Sequence, residues 1–205
     1  MSTETVISFF FASLALTVAP GPDVMYVLST SITKGKKHGI AAALGLSSGL
    51  LFHSTLLAFG ISALIIKSPS LYKSIKIFGA LYLLWLAFTV FKSENSFQLQ
   101  AQAKSSIHVW KNTLQGMIMN ILNPKVMLFF LALFPTFIHT EANNIKTQIY
   151  VLGFISFAQA LIVFILYALL ASKLTNFLRE NPYFNASLKW IQIAVFTALA
   201  IIMLN

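Results

Sequence analysis

Thr17-Val18-Ala19-Pro20-Gly21-Pro22-Asp23-Val24-Met25 lies in the middle of an apolar run, Val6–Ile32. The run is long enough for a membrane helix, which needs about 20 predominantly apolar residues. Two prolines, a glycine and a carboxylate interrupt it. Proline lacks the amide proton and clashes with the carbonyl four residues earlier, so it kinks or breaks the helix that holds it. Backbone groups freed in this way find no partner in lipid. The break therefore belongs inside the protein or along a wet cavity.

Working outward, further apolar runs fall at Gly39–Ile66, Leu71–Phe91, Thr113–Ile138, Ile149–Ala171 and Ser187–Leu204. The polar breaks between runs are Thr33–His38, Lys67–Ser70, Lys92–Lys111, His139–Gln148 and Ser172–Ala186. Of the 205 residues, 58% are hydrophobic and 9% charged, against about 25% charged in a soluble domain. Lipid must be the solvent for most of this chain. Six spans use up nearly its whole length, which leaves no room for a soluble catalytic or nucleic-acid-binding module. The predicted fold is an all-α integral membrane protein of six transmembrane helices. It forms a single transmembrane transporter domain over residues 1–205 that moves a small solute.

The formal charge of +9 sits mainly in the short breaks, where membrane orientation explains it before nucleic acid does. The first, third and fifth breaks hold Lys34, Lys36, Lys37, Lys92, Lys104, Lys111, Lys173 and Arg179, eight against the four of Lys67, Lys73, Lys76 and Lys146. That asymmetry places the long central loop in the cytoplasm and both termini outside. No cysteine is present, which excludes disulfide and thiol chemistry. The start, Met-Ser-Thr-Glu, has no basic residue before the first run, so that run is read as a span and not as a cleaved signal peptide.

Three spans in each half is an odd number. If the halves are related, the second must insert upside down, as two inverted three-helix repeats. These half-repeats cover about 1–92 and 109–205, joined by a cytoplasmic linker at about 93–108. Pro22-Asp23-Val24-Met25 lines up with Pro124-Lys125-Val126-Met127, so the first and fourth helices are both expected to be broken at proline. Asn123 is placed to cap the second half-helix of the fourth span, with Pro124 at its first position. A proline kink that only shapes packing is the plain alternative. Paired breaks at matching positions, each followed by a charge, point instead to a midplane binding site.

Asp23 and Lys125 are the ionisable acid and base deep within the spans. An unpartnered charge at a helix centre costs ~2.5–3.5 kcal/mol on insertion scales. Asp23 follows a proline near the positive start of a half-helix, where a carboxylate is favoured. Lys125 stands at another such start, where a cation is disfavoured by ~0.3–1 kcal/mol, so it calls for an anionic partner, protein or ligand. A pseudo-two-fold axis brings the two toward each other. A zwitterionic amino acid, with its ammonium on Asp23 and its carboxylate on Lys125, fits such a pair; a permanent ion pair is the alternative. The exposed amides at Pro20-Gly21-Pro22 and at Asn123-Pro124 offer further anion-binding capacity. Asn120, one turn before Pro124, is placed to reach carbonyls freed by the break. The substrate-binding set is thus Pro20, Gly21, Pro22, Asp23, Asn120, Asn123, Pro124 and Lys125.

In the second span Ala41, Gly45, Gly49 and His53 share a helix face at four-residue spacing. Gly45 and Gly49 suit close helix packing and permit a homodimer. His53 is either a buried hydrogen-bonded residue or, with Asp23, a proton-coupling group, since histidine titrates near neutrality. Gln115 and Gln159 are further polar residues for interhelical hydrogen bonds or a cavity lining.

At these residues the chain resembles the lysine exporter (LysE/RhtB) family. The resemblance rests on Ala19-Pro20-Gly21-Pro22-Asp23, Gly35-Lys36-Lys37-His38-Gly39, Leu44-Gly45, Gly49 and His53. It continues with Asn123-Pro124-Lys125, Leu128-Phe129-Phe130-Leu131 and Pro135, and so covers nearly the whole chain. It implies a six-span exporter of amino acids in the bacterial inner membrane, generally driven by the proton gradient, with no cofactor. A neutral, threonine- or homoserine-like zwitterion suits Asp23 and Lys125 better than a dibasic substrate does. A membrane-embedded enzyme would need a nucleophile or metal set that is missing. His38, His53, His108 and His139 lie too far apart for a short-spaced metal motif, so no catalytic or metal residue is assigned. An exporter of metal cations or other small solutes and a non-transporting membrane subunit are the remaining alternatives.

Overall fold

The structure, a computed structural model, describes residues 1–67, 69–92, 108–139, 144–180 and 182–204. The expected linker at 93–108 lies outside these residues except for His108. All regular structure among the described residues is helical. The first run forms α1 (Thr3–Val18) and α2 (Pro22–Lys34), bent by 55° at the break between them. α1 starts where the Ser2 hydroxyl accepts from the Thr5 amide, with Glu4 in the first turn. It stops where Pro20 and Pro22 withdraw the donors that Leu16 and Val18 would need. α3 (Lys36–Lys67) and α4 (Pro69–Lys92) complete the first half.

α5 (Val109–Ile121) and α6 (Pro124–Leu128) form the second bent pair, at 51°. α6 does not continue as a regular helix to Ile138. It passes into a π-helical turn at Phe129–Leu133 and a tight 3-10 turn at Phe134–Phe137. Pro135 explains this, because it cannot donate to the Leu131 carbonyl and the hydrogen-bond register shifts around it. α7 (Ile145–Glu180) and α8 (Pro182–Leu204) follow.

Among the described residues three helices are long and apolar enough to cross a membrane, and each bent pair adds one more candidate span. α8 carries a shorter apolar stretch, Lys189–Leu204. Two breaks are tighter than their polarity suggests. Thr33–His38 narrows to Gly35, whose φ of 95° favours glycine. Most of the expected break at Ser172–Ala186 is helical among the described residues: α7 runs on to Glu180 because no proline or glycine stops it, and Pro182 sets the next start.

α3 is the interior helix, with 61% of its apolar window buried against 22% for α4. It packs chiefly on α5 and α7, while α4 packs on α8. Close approach explains the glycines of this layer. A side chain at Gly45 would strike the Thr113 backbone, one at Gly116 the Ala42 carbonyl, and one at Gly49 the Asn120 side chain. The small-residue stripe of α3 is therefore covered within the chain and is not open to a second copy.

Candidate functional site

The two helix breaks face each other at the centre of the bundle. Each proline specifies which carbonyl it orphans, namely the one four residues earlier. Pro20 frees Leu16 and Pro22 frees Val18. Both are met by side chains from distant elements: Lys125 Nζ donates to Leu16 O at 3.0 Å, and Tyr167 OH to Val18 O at 3.3 Å. Lys125 also donates to Ala19 O at 3.4 Å, and Gln192 Nε2 to Pro20 O at 2.6 Å. The C-terminal end of α1 is thus capped by residues of α6, α7 and α8.

This geometry resolves the position of Lys125. Its protein acceptors are carbonyls at the end of α1, and among the described residues no carboxylate bonds it directly. Hydrogen bonds to a charged group contribute ~1.5–3 kcal/mol each, and the negative end of a helix adds ~0.3–1 kcal/mol. Together they offset an insertion cost of ~2.5–3.5 kcal/mol. The Phe196 ring, 5.9 Å from the ammonium, adds a cation–π contact.

Asp23 lies in the first turn of α2, buried. It does not pair directly with Lys125. Instead Asn123 Nδ2 donates to both of its carboxylate oxygens, at 3.0 and 2.9 Å. The other end of the same amide caps α6, with Oδ1 accepting from the Lys125 backbone N–H at 3.0 Å. These contacts fix the amide orientation, because a flipped Asn123 would set oxygen against carboxylate oxygen. Asn123 therefore ties the two breaks together. Gly21 caps α2, and an added Cβ there would stand 3.3 Å from Lys125 Nζ.

Asp23, Lys125 and Asn120 line one cavity of about 20 Å³, room for about one water molecule. Its polar rim continues through Ser13, Thr17 and Ser156, and Phe129, Phe130 and Phe164 form much of its apolar wall. Asn120 does not reach a freed carbonyl. Its own carbonyl is the one Pro124 orphans, and it accepts from the Asn123 N–H at 3.1 Å and from His53 Nε2 at 3.4 Å. Its side-chain Oδ1 is buried without a partner.

The remaining sequence-singled residues fall elsewhere. Pro20 is buried beside Gly21, while Pro22 and Pro124 are exposed on the outer side of their breaks. His53 is buried but is not among the cavity-lining residues: it stacks on Phe130, with ring centroids 5.3 Å apart, behind that wall. Gln115 is exposed. Gln159 is buried and donates to Ser13 and Thr17. Sequence reasoning missed Tyr167, Gln192, Ser13, Thr17 and Ser156. The prolines name the carbonyls that need donors, but no local signal names the donors. Among the described residues no three of His, Asp and Glu come together as a metal site.

Comparison with known proteins adds the following. The family model for LysE type translocators matches residues 14–205. A leucine efflux protein of Enterobacter sp. (strain 638) is 34% identical over 152 residues, 72% of this chain and 68% of its own. The homoserine/homoserine lactone efflux protein of Salmonella typhimurium is 28% identical over 181 residues, 87% of this chain and 86% of its own. An uncharacterized membrane protein of Bacillus subtilis, YrhP, is 33% identical over 158 residues, 73% and 75% of the two chains. No solved structure matches the chain.

Proposed function

The chain belongs to the LysE type translocator family, transporters and not enzymes, and from that premise we propose that it exports neutral amino acids across the bacterial inner membrane. Two of the relatives are named for the efflux of homoserine and its lactone and of leucine; homoserine and leucine are neutral zwitterions. The observation that carries the reading is the cavity holding one buried carboxylate and one buried ammonium, neither paired directly with the other. A substrate ammonium competes with Asn123 for Asp23. A substrate carboxylate competes with Leu16 O and Ala19 O for Lys125. Asn120 lines the cavity between these poles, Gly21 and Asn123 lie against them, and Pro20, Pro22 and Pro124 set the breaks that place them.

Binding of that kind is coupled to opening. A cavity of about 20 Å³ admits no amino acid, so substrate enters only as α1–α2 moves away from α5–α6. Drawing Lys125 off the end of α1 releases the contacts that hold the break shut. Proton coupling is assigned to Asp23 ahead of His53, because Asp23 lines the cavity and the His53 ring is turned to Asn120 O. The six-span, inverted-repeat arrangement belongs to the same proposal. Its support is the matched bends of 55° and 51° and the packing of corresponding helices, α3 on α7 and α4 on α8. In that arrangement residues 1–205 are one transporter domain with both termini outside. A homodimer, if it forms, must use a face other than the α3 glycines.

The test is reconstitution of the purified protein in proteoliposomes loaded with labelled amino acids, with and without an imposed pH gradient. Counterflow of a neutral amino acid, accelerated by the gradient, is expected. Absence of flux for every amino acid tried, with flux of a metal cation instead, sinks the reading.

A further inference from the structure

Hydrogen bonds tie the bent pair α1–α2 to α5–α6 at two levels. At the breaks, Asp23 accepts from Asn123 and Lys125 caps α1. Further along α2, Tyr26 OH donates to the Asn112 carbonyl at 3.3 Å. This second level takes no part in holding Asp23 or Lys125. Tyr26 and Thr30 follow Asp23 at helical spacing on α2, and all three are buried. Asn112, Gly116 and Asn120 are the buried residues of α5 and share one face at four-residue spacing. The eight residues from Asn120 to Asn112 span ~12 Å along the axis. The seam between these two faces therefore leads from the cavity toward the end of the bundle that carries Lys34, Lys36 and Lys37, which the proposed orientation makes cytoplasmic.

His38, near the start of α3, closes that end. Asn112 Nδ2 donates to His38 Nδ1 at 2.7 Å, so Asn112 is held by α2 through its carbonyl and by α3 through its side chain. The seam is polar where a permanent contact would be apolar. Asn112 is fully buried, yet its Oδ1 has no partner. Ser31 Oγ is also unmet, although a helical serine can turn back to the carbonyl four residues earlier, as Ser54 does. At the cavity end of the same face of α5, Asn120 Oδ1 is a third such atom. Buried polar atoms without partners are costly in the closed state, and the cost vanishes once water or a polar solute reaches them. These atoms favour parting of α2 from α5 over opening through the apolar wall of Phe129, Phe130 and Phe164.

We propose that Tyr26, His38 and Asn112 form the cytoplasmic gate through which an amino acid reaches the cavity of Asp23 and Lys125. This inference rests on the exporter reading above and adds the route and the residues that close it. The chain has no cysteine, so introduced thiols report on the gate alone. Thr17→Cys places one in the cavity lining, with Ser13→Cys as the substitute if that variant does not insert. A membrane-impermeant thiol reagent is then added to right-side-out and to inside-out vesicles. Tyr26→Phe and, separately, His38→Ala are expected to raise labelling from the cytoplasmic side about fivefold, the shift that loss of one neutral hydrogen bond gives, with no rise from the outer side. A merely structural contact would loosen the whole bundle when lost. Equal rises from both sides, a rise from the outer side alone, or no rise in either variant overturns the gate.

A second measurement holds the gate shut. With His38→Cys and Asn112→Cys bridged by a short bis-methanethiosulfonate, counterflow of labelled leucine and homoserine in proteoliposomes is expected to stop, and a reductant is expected to restore it. Flux undiminished by complete bridging overturns the gate and leaves the exporter standing. No counterflow of any amino acid in the wild type overturns the exporter reading and the gate with it.

Discussion

The two broken helices are alike in cause and unlike in support. At the first break Pro20 and Pro22 free the carbonyls of Leu16 and Val18, and the recorded donors are side chains from α6 and α7, with Gln192 of α8 taking the carbonyl of Pro20 itself. At the second, Pro124 frees Asn120 O, which accepts the Asn123 backbone N–H, while the Asn123 side chain caps the helix that follows. One break is held from outside, the other from within. The self-capped break is the frame from which Asn123 and Lys125 project. In the proposed transport cycle the externally held break is the one a ligand releases, because a substrate carboxylate would compete for the Lys125 contacts that hold it.

That contrast fails most visibly, if it is wrong, at Lys125. Lys125→Ala removes the donor to Leu16 O and Ala19 O and also the proposed pole for substrate carboxylate. Truncating one member of a buried charged contact costs ~2–5 kcal/mol, so counterflow should fall by roughly a hundredfold in protein that still inserts. Near-normal flux would make Lys125 a helix cap and nothing more. Asn123→Asp ranks next. The capping oxygen survives, so α6 begins as before, but the donor facing Asp23 becomes a second carboxylate, and two carboxylates sharing a site cannot both ionise freely. We expect flux to fall about tenfold with little change in helix content by circular dichroism. A large loss of helicity would show that the residue matters as a cap and not as the tie between breaks.

Much of this was legible in the sequence, and the parts that were not share a physical reason. Pro20, Pro22 and Pro124 mark both breaks because the missing amide proton is a property of the residue itself. The matched motifs at Asp23 and Lys125 pointed both residues at one place, and both line one cavity. The partner of Lys125 was not legible. Charge reasoning looks for a carboxylate, whereas the acceptors are backbone carbonyls, which every residue carries and no letter distinguishes. Gln192 lies 172 residues from the carbonyl it meets, and only the folded chain makes that pairing. Polarity also misplaced the end of α7, since Ser172, Lys173 and Thr175 are tolerated in a helix and Pro182 is the true boundary.

The comparison sharpens at single neutral hydrogen bonds. Tyr167→Phe deletes the one recorded donor to Val18 O. The loss of such a bond, with a carbonyl left unmet, costs ~1 kcal/mol or somewhat more, or roughly 2–4 °C in the unfolding midpoint of a chain this size. Counterflow should change little in rate, because the cavity poles are untouched.

His53→Phe is the matching deletion at the second break, and its effect should be the smallest. The bond it removes is long, 3.4 Å to Asn120 O, and that carbonyl keeps the Asn123 N–H at 3.1 Å. The ring is replaced by one that can stack on Phe130 in the same place. A midpoint shift below that of Tyr167→Phe follows directly from the second break being held from within. If Asp23 carries the coupled proton, the variant also retains acceleration of flux by a pH gradient. A larger midpoint shift than that of Tyr167→Phe would mean that α3 supports the second break as strongly as α7 supports the first. Loss of gradient acceleration with counterflow intact would move the proton from Asp23 to His53, behind the Phe130 wall.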